Sequence, residues 1–414
     1  GGAGGAGGGA GGAGETTARE AALDACTRAV TTILYLAELK ENRALLLQHE
    51  GLMECLMGVI VSDASEARMH ACRIVAVLSK SPKNKDGIMA VSNLVTTLSR
   101  LVLGKVGEDG TVQSREEMVG KLKVDTSATA GSGSRGGGDL GLDDDGLSKS
   151  PKKSKSGGKS KLKHGRDRKS KRRGGGEEKK IYPSMRQQNS DKFEEYLFLA
   201  RMNSCAALCQ LAKNCTTAAA MCENEECVDN VTAVCVEFDS PIHTKCLELL
   251  CHLTRFPKNN AVLAKRSRII DTLVASGKSR VDEDRIWAAR SFQNLSSDAS
   301  SRMLLATGPI LTLLTVSAMR KDADEQRAAV ASLFNLSTEP GAIVPLTNTK
   351  NVVATLVHIA HNTDASSDVC RMACDSLATI GLWLQTLAGA GTVPANTKKV
   401  PLPSHSSSGW MRWD

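Results

Sequence analysis

A short helix-end pattern returns about every 42 residues along this chain, and no other feature restricts its fold so tightly. Each copy reads as one variable residue, then Leu or Ile, then a small residue. The copies are Tyr35-Leu36-Ala37, Val77-Leu78-Ser79, Gln210-Leu211-Ala212, His252-Leu253-Thr254, Asn294-Leu295-Ser296, Asn335-Leu336-Ser337 and Thr379-Ile380-Gly381. The aligned apolar residues are separated by 42, 133, 42, 42, 41 and 44 positions, so the long step is one unit of 42 plus 91 surplus residues. A helical unit of this length cannot bury its apolar face alone. It must stack on its neighbours, and the outcome is a solenoid. Such a chain is expected to be a binding surface rather than a catalyst.

A second register has the same phase. Asp63, Asp239, Asp282, Asp322 and Asp364 each lie 13 to 16 residues before an aligned Leu or Ile. That spacing predicts an Asp at the N-terminus of a helix of about four turns, where a carboxylate accepts unpaired backbone N–H groups and meets the positive end of the dipole. Asp63-Ala-Ser-Glu66 and Asp322-Ala-Asp-Glu325 resemble capping boxes with Asp as the cap.

The apolar material is unusual. Aromatic residues make up only 3% of the 414, so the core must be built from Leu, Val, Ile, Ala, Met and Cys. No run of 18 apolar residues marks a membrane span, and no signal peptide is visible. Of 13 Cys, eight fall between 205 and 251: Cys205, Cys209, Cys215, Cys222, Cys227, Cys235, Cys246 and Cys251. They contain no C-x-x-C and no Cys/His quartet with ligand spacing, so no metal is expected. Cys205/Cys209 and Cys370/Cys374 are four apart on one helical face, as buried free thiols in a reducing compartment would be. No cofactor is implied.

The net charge of +8 hides an asymmetry. Residues 148–180 hold 15 Lys/Arg and 3 Asp/Glu, a local excess of 12, so the remainder carries about −4. The chain divides accordingly. Residues 1–15 are a Gly/Ala-rich tail expected to be disordered. Residues 16–104 read as N-terminal repeats, with Glu41-Asn42-Arg43 opening a short helix and Gly51-Leu52-Met53 breaking to a second. Residues 105–190 lose apolar periodicity and are predicted to be a disordered basic insert. Because the helical pattern resumes to end at Ala212, this insert lies inside a repeat. Residues 191–388 read as C-terminal repeats, and 389–414 as a disordered tail containing Trp410 and Trp413.

The unit resembles the armadillo repeat: a short helix, a turn often containing Gly, a second helix, and a longer third helix ending in Asn-Leu-Ser/Ala. Phe334-Asn335-Leu336-Ser337 and Gln293-Asn294-Leu295-Ser296 carry the resemblance best, with Glu41-Asn42-Arg43…Gly51-Leu52 similar to the family's opening. It covers residues 16–104 and 192–388. It implies an all-α, right-handed α-solenoid of about six to seven repeats, one of them interrupted; a HEAT-like stack is the alternative. In the family, third helices line a concave groove whose Asn residues bond an extended peptide. An amide suits that task because it both donates and accepts. Here the column reads Tyr35, Val77, Gln210, His252, Asn294, Asn335 and Thr379, so Gln210, His252, Asn294 and Asn335 mark the C-terminal half as the expected groove. Import receptors of this family place Trp four residues before the Asn. This chain has Arg290 and Ala331 there, and Trp287 lies seven before Asn294. That departure argues against an import receptor. An unpaired Arg290 would instead favour an acidic or phosphorylated peptide.

The insert has its own candidates. Ser150-Pro151-Lys152-Lys153 fits a proline-directed phosphosite at Ser150. Lys152 and Lys153 with Lys169, Lys171, Arg172 and Arg173 resemble a nuclear localisation signal. The other readings are a solvated charge run, an autoinhibitory loop, or a weak salt-sensitive nucleic-acid contact through 148–180, without aromatics for base stacking. No phosphate-binding loop, zinc-protease, nucleophile-elbow or kinase signature appears. The sequence thus predicts a non-catalytic scaffold or adaptor, cytoplasmic and/or nuclear, that binds a protein or peptide. A nucleic-acid tether, or the regulatory subunit of an enzyme, is the alternative.

Overall fold

The computed structural model describes residues 12–104, 185–236, 240–362 and 365–389. Most of the tail and insert expectations, including Ser150 and every basic residue of 148–180, lie outside the described residues, but 12–15 and 185–190, expected to be disordered, are helical and open the helices Gly12–Glu38 and Met185–Ala212. Among those described, all regular elements are helical. One long helix, Gly12–Glu38, precedes six three-helix repeats. The first is Asn42–Gln48, Leu52–Val61 and Ser65–Leu78; the second is Lys85–Met89, Leu94–Val102 and Met185–Ala212. The third is Cys215–Glu223, Glu225–Val234 and Pro241–Thr254; the fourth is Pro257–Ala264, Ser267–Ser276 and Asp282–Ser297. The fifth is Ala299–Leu305, Gly308–Ala318 and Ala323–Ser337; the sixth is Ile343–Asn348, Val352–Ala360 and Ser367–Gly389. The chain is an all-α solenoid of three-helix repeats. Arg201 Nε of the Met185–Ala212 helix donates to Val102 O at 2.9 Å, so the two sides of residues 105–184 meet within one repeat.

The 42-residue register is a packing register. Leu78, Leu211, Leu253, Leu295 and Leu336 are all fully buried, and so are the small residues after them, from Ser79 to Ser337. A small residue there lets the next helix approach closely. The first copy departs from this. Ala37 is buried, but Leu36 is 44% exposed. No described repeat precedes the Gly12–Glu38 helix, so the face that closes over this Leu elsewhere stays open.

A six-residue reach ties the start of each of the first five repeats to the helix before it. The last carbonyls of a helix have no partner within it and need one. Arg43 Nε donates to Ala37 O at 3.1 Å, Asn84 Nδ2 to Leu78 O at 3.2 Å and Asn259 Nδ2 to Leu253 O at 2.9 Å. Thr217 Oγ1 bonds Leu211 O, and Arg302 Nε donates to Ser296 O at 3.0 Å. Each donor sits at the start of a first helix and reaches back to the third helix just completed. The turn into the second helix has a device too. Gly51 (φ 79°), Asn93 (φ 61°) and Asn351 (φ 70°) occupy the same left-handed position in three repeats. Gly and Asn accept that backbone most readily.

The capping expectation needs correction. Asp322 does cap its helix, accepting Glu325 N–H at 2.8 Å. Asp63 does not: Ala64 holds the cap position, and Asp63 pairs with Arg19 instead. Asp282 lies inside its helix, behind Val281, and pairs with Arg285 at 2.5 Å. Asp239 and Asp364 lie outside the described residues, and Ser240 caps the Pro241–Thr254 helix. Glu325 does not complete its box, because its buried carboxylate binds Arg285 Nε across the repeat boundary at 3.1 Å.

Candidate functional site

The face made by successive third helices carries the column singled out by sequence, and the structure divides that column. Asn294 is not free. Its Nδ2 donates to Cys251 O and Thr254 Oγ1 of the preceding third helix, both at 3.2 Å. Asn335 is only 8% exposed, and its Nδ2 donates to Ser296 Oγ at 3.1 Å. These two amides join consecutive repeats, which corrects the expectation of an open peptide ladder. His252 lies 3.5 Å from Glu248 Oε1 and meets Trp287 edge-on with ring centroids 6.2 Å apart. Thr379 Oγ1 turns back to Asp375 O at 2.7 Å, Val77 is buried and Tyr35 is 69% exposed. Gln210 alone among the four polar candidates is partly exposed with no bonded partner among the described residues.

Arg290 is corrected in the same way. Its Nη2 pairs with Asp324 at 3.0 Å and its guanidinium lies 5.2 Å from the Trp287 ring centroid. It is therefore no waiting anion receptor. The neighbouring pairs have the same form: Arg327 meets Asp368 at 2.8 Å and Lys245 meets Glu248 at 2.7 Å. Glu248 is held down at about 2, first by His252, against burial, and then by Lys245. In the C-terminal half, the third-helix face is occupied by its own charges.

The open ground lies in the N-terminal half. A recess of about 430 Å³ is lined by Glu38, Arg43, Arg73, Ala76, Val77, Lys80, Asn203, Ala206 and Gln210. These residues come from the Gly12–Glu38 helix, the third helices Ser65–Leu78 and Met185–Ala212, the first helix Asn42–Gln48, which bears Arg43, and the turn that bears Lys80. Arg73 pairs with Glu38, and both side chains stay about half exposed, at 50% and 42%. Arg43 is held by its carbonyl bonds to Ala37 and Glu38, both at 3.1 Å. Asn203 Nδ2 donates to Met69 O at 3.3 Å. Sequence reading missed Arg73, yet the signal was there. Arg73 stands four before Val77, as Arg290 stands four before Asn294. A larger hollow of about 540 Å³, beside second helices, is bridged by Arg266, which reaches Asp229 at 3.3 Å and Glu225 at 3.9 Å.

The cysteines are mostly inert. Seven of the eight in the cluster are buried, while Cys215 is exposed; Cys370 is intermediate and Cys374 exposed, against expectation. Cys205 Sγ lies 3.8 Å from Cys246 Sγ, with no disulfide. Burial pushes Cys227 and Cys251 up to about 12 and Cys72 to about 11. Such thiols stay protonated and weakly nucleophilic. Among the described residues no His/Cys/Asp/Glu group has metal-holding geometry, and no single helix is long and apolar enough to cross a membrane.

Comparison with known proteins locates the fold and stops there. No model of a known protein family matches the sequence, and no characterised protein matches it in sequence. In structure the chain is similar to an engineered protein from the Northeast Structural Genomics Consortium, with TM-score 0.50 and 15% identity, over 80% of this chain and 97% of that one. It is also similar to UNC-45 from Drosophila melanogaster, with TM-score 0.52 and 12% identity, over 87% of this chain. The matched region spans 35% of the UNC-45 chain. At such identities the likeness is one of fold: an all-helical repeat solenoid.

Proposed function

We propose that this chain is a non-catalytic interaction scaffold of the armadillo type, which holds an extended segment of another protein against its third-helix face. One observation carries the reading. The recess between the third helices of the N-terminal half is wide enough for side chains, and Gln210 brings to it an amide with no bonded partner among the described residues. An amide left over in this way can donate to and accept from a peptide backbone of any sequence. Stacked repeats keep such a surface rigid, so a segment that orders on binding meets a preformed site.

The test uses a photo-crosslinking amino acid in the full chain. Placed at Gln210, it should capture a defined partner band in cells. Placed at Asp229, on a second helix, it should not. Equal capture from both positions, or capture from Asp229 alone, would move the binding face away from the third helices.

A further inference from the structure

The recess at Gln210 is unlike the rest of the third-helix face in its charge balance. Along the C-terminal half, Lys245, Arg290 and Arg327 each meet a carboxylate: Glu248, Asp324 and Asp368. In the recess three cations, Arg43, Arg73 and Lys80, share one carboxylate, Glu38. Glu38 is already paired with Arg73. Arg43 spends Nε and Nη2 on backbone carbonyls, which leaves its charge unmatched by any acid in the recess. Lys80 is exposed, with no bonded partner among the described residues. The wall between these groups is apolar, formed by Ala76, Val77 and Ala206. An anion seated there would be less hydrated, and its attraction to the cations less screened, than on an open surface.

We propose that this recess is a carboxylate subsite for an extended acidic peptide. An Asp or Glu side chain of the peptide is taken by Lys80 and Arg73, and the adjacent peptide group by Gln210. Arg73 has the planar fork that suits a carboxylate, and Lys80 supplies a mobile second charge. The inference rests on the scaffold reading above and adds the chemistry of the segment held.

Hydrogen-exchange mass spectrometry of the full chain tests it, since it locates binding and so separates the recess from the basic residues 148–180. The probes are decaglutamate, decalysine, a neutral Gly/Ser decapeptide, and a Gly/Ser decapeptide carrying phosphoserine. Decaglutamate should slow exchange in segments covering 73–80 and 203–210. Arg73→Ala with Lys80→Ala should weaken that protection about 3- to 30-fold in peptide concentration. Both side chains are exposed, and an unchanged melting temperature would confirm that the variant is folded. Glu38→Gln, which removes the competing carboxylate, should strengthen the protection. Protection confined to 148–180, or insensitivity to both variants, would overturn the proposal. Stronger protection by the phosphoserine peptide would overturn the carboxylate assignment. Equal protection by the neutral peptide would overturn the anion subsite yet leave the scaffold reading standing.

Discussion

Replacing Asn294 and Asn335 by Ala together asks whether these amides serve a ligand or the solenoid itself. The structure answers for the solenoid. Asn294 donates at 3.2 Å to Cys251 O and at 3.2 Å to Thr254 Oγ1, and Asn335 donates at 3.1 Å to Ser296 Oγ. Each such bond contributes about 0.5–1.5 kcal/mol net, with more lost when a buried acceptor is left unpaired. Three bonds therefore set a loss of roughly 1.5–4.5 kcal/mol. The two sites couple, because the acceptor of Asn335 lies on the helix that bears Asn294. The double variant should then depart from the sum of the singles by about 0.5 kcal/mol or more. Equilibrium urea unfolding of the two single variants and the double, followed by circular dichroism, measures both quantities. Binding per folded molecule should be unchanged. A double variant that unfolds within about 0.5 kcal/mol of the parent while losing its partner would refute this reasoning and restore the peptide ladder.

Leu295→Ala and Leu336→Ala should each cost about 2–5 kcal/mol in the same assay, since both side chains are fully buried at repeat junctions. Asn259→Ala should cost about 1–3 kcal/mol, because it strips the bond to Leu253 O at 2.9 Å from a residue that is 3% exposed. Glu248 sits at about 2, below the ordinary carboxylate range. A depressed folded value gives stability that is present above pH 5 and lost as pH falls toward 2, up to about 3 kcal/mol. Urea midpoints of Glu248→Gln should accordingly depend less on pH between 5 and 3 than those of the parent. Joining residue 104 to residue 185 through a short Gly/Ser loop should keep helical signal and cooperative melting, because Arg201 already ties the two sides at Val102. Loop length changes closure entropy by only about 0.6 kcal/mol per doubling.

The repeat was legible because a solenoid repeats its physics. One helix-end pattern fixed Leu78, Leu211, Leu253, Leu295 and Leu336 as core, and all five are fully buried. The six-residue tie is harder to see in the sequence, because its donors differ and occupy two adjacent places: Asn84, Thr217 and Asn259 reach the helix-end Leu, whereas Arg43 and Arg302 reach the small residue after it. Any residue able to donate to a carbonyl satisfies it. The Asp register misled for a related reason. Asp63, Asp282 and Asp322 stand near helix starts, but Arg19 and Arg285 draw the first two into ion pairs and only Asp322 is left to cap.

The binding face was harder to place because its position depends on contacts between units, which no single unit displays. A polar residue on a third helix can tie to the helix before it or remain open to a ligand. Asn294 and Asn335 are tied because Thr254 Oγ1 and Ser296 Oγ stand at the same point of the preceding helices, each the small residue of the helix-end pattern. Gln210 follows the same rule, and the preceding helix offers Ser79 there. Ser79 Oγ, however, is turned inward to Val75 O at 2.7 Å. The Thr254 and Ser296 hydroxyls also donate within their own helices, to Cys251 O at 2.9 Å and Gln293 O at 3.1 Å, three residues back rather than four, and still accept the next amide. The open part of the face therefore begins where this one inter-repeat tie is missing, beside Arg73 and Lys80. The pattern that assigned the amide column was right about position, and contacts with the helix one repeat earlier separate Asn294 and Asn335, which are tied, from Gln210, which has no bonded partner among the described residues.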